Sequence, residues 1–179
     1  MLRKNLLLLG AVALFALLSV YVTRNHSIGS AEGQPGAFER ADREPALAFA
    51  LPDPDGRTVA LSDYVGRAVI VNFWATWCKW CTREMPHLQR AYEEHRDDGL
   101  VVLAVNVGEQ ADEAVAYMKE YGYSFDVVLD EDKSVTRAHG IRSIPVSLWV
   151  DKEGYVVRKK LGYMTEEEIR EGVSELLAG

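Results

Sequence analysis

From residue 5 to residue 22 the chain carries no charged side chain and is mostly apolar, whereas from residue 45 onward short apolar runs alternate with stretches of helical periodicity. The eighteen residues of the first run cover about 27 Å at helical rise, close to the thickness of a bilayer's hydrocarbon. Arg3 and Lys4 precede it. A basic flank stays on the cytoplasmic side, so the reading is a cytoplasmic end at 1–4, a transmembrane signal-anchor at 5–22 and the remainder outside. A cleaved signal peptide and a soluble protein with a buried apolar helix are the alternatives. Cleaved signals carry a shorter apolar stretch of roughly 7–15 residues, and the best small-residue cleavage site, Gly29-Ser30-Ala31, lies far downstream. The segment holds no cysteine for lipid attachment. Residues 23–44 mix Gly, Ser, Pro and charge without periodicity and read as a tether.

The pattern from 45 to 179 predicts one α/β domain. Short strands at 46–50 and 58–61 flank the turn Pro52-Asp53-Pro54-Asp55-Gly56. The runs 68–74 and 100–107 are continuously apolar and β-rich, as strands buried on both faces are. A helix is predicted over 78–97, closed by Gly99, and a second over 112–121, ended by Gly122. A strand at 125–129 and a short helix at 132–139 follow. Strands 146–150 and 155–161 form a hairpin around Asp151-Lys152-Glu153-Gly154. Thr165 caps the last helix, with Glu168 completing a capping box. Pro86 falls inside the first helix and should kink it near 82–85. Alternating strands and helices imply a mixed central sheet, parallel at its centre, with helices on both faces.

Charge narrows the function classes. Net charge is −7, and Arg3, Lys4 and Arg24 are the only charges before residue 31, so residues 31–179 carry about −10. Such a surface repels phosphate backbones, which argues against nucleic-acid binding.

Cys78 and Cys81 are the only cysteines. They follow a buried strand and open a helix. A helix N-terminus stabilises negative charge through its free N–H groups, and the thiolate is the reactive form of cysteine. Cys78 sits where that field is strongest; Cys81 lies nearly one turn inside, more buried. One sulfur attacks and the other resolves, as exchange through a mixed disulfide requires. A structural staple removes little entropy from so short a loop. Zinc needs four ligands, and His26, His87, His95 and His139 are scattered, so no metal site is assigned. Covalent haem attachment needs His at 82, where Thr82 stands.

The segment Asn72-Phe73-Trp74-Ala75-Thr76-Trp77-Cys78, continuing through Cys81-Thr82-Arg83-Glu84-Met85-Pro86, resembles the TlpA/ResA/CcmG family of membrane-anchored thioredoxin-like proteins. Val105-Asn106-Val107-Gly108-Glu109 and Gly162-Tyr163-Met164-Thr165 look like its ResA branch. Similarity covers roughly 45–178, and the unit at about 111–129 resembles the family's insertion in the thioredoxin fold. The resemblance implies an extracytoplasmic thiol-disulfide oxidoreductase using Cys78 and Cys81 without another cofactor. It implies reduction of the haem-binding CxxCH disulfide of apocytochrome c, with electrons from a CcdA-type membrane thiol carrier. Spore-cortex maturation, disulfide repair, a metal- or haem-handling thiol module, a scaffold and a thiol peroxidase are the other readings.

Further positions gain meaning from the resemblance. On the residues alone Glu84 reads as a solvated helix glutamate. The resemblance implies a functional carboxylate that relays a proton for the buried thiol or raises its pKa. It also implies that Ile144-Pro145 is cis and packed on the cysteines, leaving the Ile144 backbone to pair with an incoming peptide. Trp77 either contacts partners or covers the sulfurs, and Trp74 belongs to the core. The chain departs from the family's usual Cys-Glu-Pro-Cys at Lys79-Trp80. Lys79 brings positive charge beside Cys78, and Trp80 restores an amide that could point at its sulfur. Both favour the thiolate, hence the reduced form and a higher potential.

Overall fold

The computed structural model describes residues 44–179. The predicted cytoplasmic end, anchor and nearly all of the tether therefore lie outside the described residues. Among those described, no helix is long and apolar enough to cross a membrane.

Among the described residues, eight strands and four α-helices follow in chain order: β1 (Glu44–Pro45), β2 (Ala50–Pro52), β3 (Thr58–Ala60), β4 (Ala68–Trp74), α1 (Lys79–His95), β5 (Leu100–Val107), α2 (Ala111–Tyr121), β6 (Asp126–Asp130), α3 (Ser134–Ala138), β7 (Val146–Val150), β8 (Tyr155–Leu161) and α4 (Glu166–Ala178). Six strands form one sheet in the order β1-β8-β7-β4-β5-β6. β4, β5 and β6 run parallel, and β7, β8 and β1 add antiparallel neighbours. This is a thioredoxin-like mixed sheet. β4 and β5 are buried at every position, as strands covered on both faces must be.

Alternation along β4 divides the core. Ala68, Ile70 and Trp74 pack with Cys81, Met85 and Leu88 of α1, with Ala114 and Met118 of α2, and with Ile169 and Val173 of α4. Val69, Val71 and Phe73 face the other way, toward Phe49, Leu51, Leu61 and Ile141. The expectation of helices on both faces needs refinement: three helices cover one face, while the other takes the β2–β3 hairpin with the short α3. α4 packs on the sheet at Gly172, midway along the helix, where a Cβ would lie 2.5 Å from Trp149 Nε1. α4 crosses β7 there at a distance only glycine permits.

Several boundaries move. The strand expected at 46–50 lies later, at β2, and Glu44, assigned to the tether, begins β1. Ala46 N–H bonds the Gly154 carbonyl at 2.9 Å and the Phe49 carbonyl accepts from Leu61 N–H at 3.1 Å. Residues 46–49 thus cross from the sheet edge to the hairpin. The helix expected at 132–139 is shorter because Asp130 takes the amides of Val135 and Thr136 at 3.1 and 2.7 Å, fixing its start to the end of β6. α1 runs unbroken through Pro86 and ends in a 3-10 turn, Arg96–Asp98, before Gly99 at φ 96°. The Thr165 capping box is present: Thr165 Oγ1 accepts from Glu168 N–H at 3.2 Å, and Glu168 returns Oε2 to Thr165 N–H at 2.7 Å.

Candidate active site

β4 delivers the chain to the point where α1 starts. Cys78 is the N-cap of α1 in extended backbone, and its sulfur accepts the Cys81 amide at 3.3 Å. The two cysteines are joined as a disulfide with Cα atoms 5.2 Å apart. Cys78 is 7% exposed and Cys81 fully buried, so an incoming sulfur meets Cys78 first. The amide that reaches Cys78 Sγ belongs to Cys81, which corrects the expectation for Trp80: residue 78 caps the helix, and the N–H three positions on turns toward a cap.

The antiparallel neighbour β7 supplies the other wall. The Ile144–Pro145 bond is cis, and the Ile144 carbonyl oxygen lies 3.7 Å from Cys78 Sγ. Pro145 leads directly into β7, whose Val146 pairs with Phe73 of β4. The structure therefore brings Ile144, Pro145 and both cysteines together.

Glu84 is fully buried, which rules out the solvated-face reading. Its Oε1 accepts from Asn72 Nδ2 at 2.8 Å and its Oε2 from Met164 N–H at 2.7 Å. Burial pushes its pKa up to about 8, against the pull of those two donors and of the Lys160 ammonium. Lys160 is itself buried and ion-paired with Glu168 at 2.8 Å. Asn72 Nδ2 also donates to Ser147 Oγ at 2.9 Å, while Asn72 Oδ1 is buried with no partner among the described residues. Rotating that amide would offer Oδ1 to a protonated Glu84, so the network accommodates both states of the carboxyl. The carboxyl stands three residues after Cys81 on α1, with a pKa of about 8 close to the ordinary thiol value of about 8.5.

Trp77 is 67% exposed and Trp80 51% exposed. Trp77 therefore presents most of its side chain to solvent. Lys79 is exposed on the first turn of α1. With Cys81 N–H as the donor at Cys78 Sγ, redox tuning by this pair is expected from the Lys79 charge. Lys79→Glu is expected to lower the potential by about 10–30 mV, because an exposed charge acts through solvent. Trp80→Pro alone should leave it in place. Redox titration of each variant in one thiol buffer checks both; a higher potential for Lys79→Glu would reverse the assigned sign.

Sequence reasoning did not single out Glu109 as a site residue. It is 5% exposed at the end of β5 and accepts from Thr76 N–H at 2.8 Å, from Asn106 Nδ2 at 2.7 Å and from the Thr76 hydroxyl. It ties the loop before Cys78 to the neighbouring strand. The usable signal was Asn106-x-x-Glu109 closing a buried strand. Glu109→Ala leaves three donors without their acceptor and is expected to cost about 2–3 kcal/mol. Denaturant unfolding of the oxidised protein measures it. Among the described residues no group of three or more His, Cys, Asp or Glu is placed to hold a metal ion.

Comparison with known proteins agrees with this geometry. The model of the AhpC/TSA family matches residues 43–159. Thiol-disulfide oxidoreductase ResA of Geobacillus thermodenitrificans is 38% identical over 128 residues, 72% of this chain and 74% of that protein. ResA of Bacillus subtilis is 37% identical over 131 residues, 73% of each chain. A crystal structure of a thiol:disulfide interchange protein DsbE from Chlorobium tepidum superposes with a TM-score of 0.71 at 28% identity, covering 75% of this chain and 96% of that one.

Proposed function

The chain belongs to the AhpC/TSA family and, within it, to the ResA thiol-disulfide oxidoreductases, and on that premise we propose that it reduces the haem-binding CxxCH disulfide of apocytochrome c outside the cell membrane. The observation that carries the reading is a cysteine pair with unequal access, Cys78 7% exposed and Cys81 fully buried, facing a cis-proline wall and followed on α1 by a buried carboxyl with a pKa of about 8.

The Cys78 thiolate attacks one sulfur of the substrate disulfide, forming a mixed disulfide and releasing the other substrate sulfur as a thiolate, which takes a proton. Cys81 loses its proton to Glu84 and attacks Cys78 Sγ. The second substrate sulfur leaves and is protonated, and Cys78–Cys81 closes. Two electrons pass to the substrate. The Ile144 carbonyl is free to accept from a peptide amide laid across Cys78, as in strand addition. A CcdA-type membrane thiol carrier then restores the dithiol, and the anchor at 5–22 keeps the domain at the membrane.

Deleting the gene from a strain without a second reductant should lower c-type cytochromes, and an added external dithiol should restore them. Normal cytochrome levels would move the substrate assignment to another extracytoplasmic disulfide.

A further inference from the structure

Exposed cations and indoles stand next to the cysteines and the cis-proline wall along the chain, in a domain that is otherwise acidic. Lys79 and Arg83 stand exposed on the first turns of α1, and Arg142 is exposed two residues before Ile144, whose carbonyl lies 3.7 Å from Cys78 Sγ. None of the three has a carboxylate partner among the described residues, whereas Arg57, Arg90, Arg158 and Arg170 are each ion-paired. The Arg83 guanidinium is held over two rings, 5.6 Å from the centre of Trp80 and 5.2 Å from that of Tyr163. Stacking fixes its plane without neutralising its charge.

The carboxylates closest in sequence to the disulfide do not offset these cations at the surface. Glu84 and Glu109 are buried and turned into internal hydrogen bonds. Glu166 is engaged by Arg90 at 3.0 Å. The exposed Asp112, Glu113 and Glu131 follow β5 and β6, on the side of β4 away from β7 and Arg142. The segments that carry the disulfide and the Ile144 carbonyl are thus locally cationic at their exposed positions, which the net charge of about −10 over residues 31–179 would not foretell.

Building on the thiol-disulfide reading, we propose that this cationic and aromatic rim selects extended polypeptide segments that carry acidic residues beside their disulfide cysteines. The indoles give such a segment apolar contact, and Lys79, Arg83 and Arg142 pair with its carboxylates. An anionic membrane surface would satisfy the charges as well. It would not use the Ile144 carbonyl or the disulfide that this carbonyl faces, so a peptide is the occupant that accounts for all of them.

The test uses the full-length reduced chain in detergent and three synthetic peptides with one Cys-x-x-Cys disulfide, flanked by Glu, Ser or Lys. At low salt the Glu peptide should be reduced about fivefold faster than the Lys peptide, the scale of a few exposed charge pairs. The ratio should approach one at about 0.5 M salt. It should fall to one or invert in Arg83→Glu with Arg142→Glu, and fall part of the way in Arg142→Glu alone. A ratio between peptides cancels any change in potential. Equal rates, or a preference for Lys, at low salt would overturn the proposal. So would equal rates combined with Arg83- and Arg142-dependent binding to vesicles of phosphatidylglycerol in phosphatidylcholine, which would assign the rim to the membrane. Failure to reduce even the Ser peptide would count against the exchange chemistry itself, separately from the charge preference.

Discussion

A Cys81→Ala chain, reduced and mixed with a disulfide substrate, is expected to accumulate as a covalent complex through Cys78, while Cys78→Ala accumulates none and both variants lose turnover to the uncatalysed background. The asymmetry follows from position. Cys78 caps α1, its sulfur takes the Cys81 amide at 3.3 Å, and it is the more accessible sulfur. A charge-assisted donor and a helix N-terminus both favour its thiolate. Without Cys81 nothing inside the protein can resolve the mixed disulfide. Non-reducing electrophoresis with mass spectrometry of the linked peptides reads the outcome. Complexes formed through Cys81 in the Cys78→Ala chain would exchange the two roles.

The second large effect concerns Glu84 and pH. Its ordinary pKa is near 4.5, and burial raises it to about 8 in the folded chain. Between those values the folded protein holds a proton that the unfolded chain has released. The contribution to stability is complete below about 4.5 and is lost as pH rises through about 8. At about 1.4 kcal/mol per unit the window has a ceiling of about 5 kcal/mol, and relaxation around the ionised carboxylate reduces it to a few kcal/mol. Glu84→Gln cannot ionise and should not show this loss. Asp53, Asp132 and Glu168 have lowered pKa values and impose the opposite slope, but they are common to both proteins. The stability of wild type relative to Glu84→Gln should therefore decline by a few kcal/mol between pH 4.5 and pH 9 in denaturant titrations. Parallel curves would place the Glu84 carboxyl near its ordinary pKa. The same variant should slow substrate reduction, since an amide cannot take the Cys81 proton.

The sheet and the redox pair were legible in the sequence for the same reason: each rests on local pattern. Buried strands appear as the unbroken apolar runs 68–74 and 100–107, and a CxxC opening a helix declares its chemistry through position. What escaped was set by contacts across the fold. Glu84 sits among charged helix residues in sequence, and its burial depends on Asn72 of β4 and the Met164 amide, 80 positions away. Glu109 looked like part of a family motif, and its acceptor role emerges only when β5 lies beside the loop at Thr76. Residue types alone allow the Trp80 amide to reach Cys78 Sγ, whereas the cap geometry brings the Cys81 amide there. The segment 46–49 is apolar enough to look like a strand, but its amides and carbonyls serve two different neighbours.

Reduced Cys78 and Cys81 are expected to pass two electrons to a CxxCH disulfide. Stoichiometric mixing of the reduced full-length chain with an oxidised apocytochrome c, followed by alkylation of free thiols and mass spectrometry of both proteins, measures it directly. Two alkylated cysteines should appear in the CxxCH segment for each Cys78–Cys81 disulfide formed. An apocytochrome left oxidised by a chain that still reduces small disulfides would contradict it.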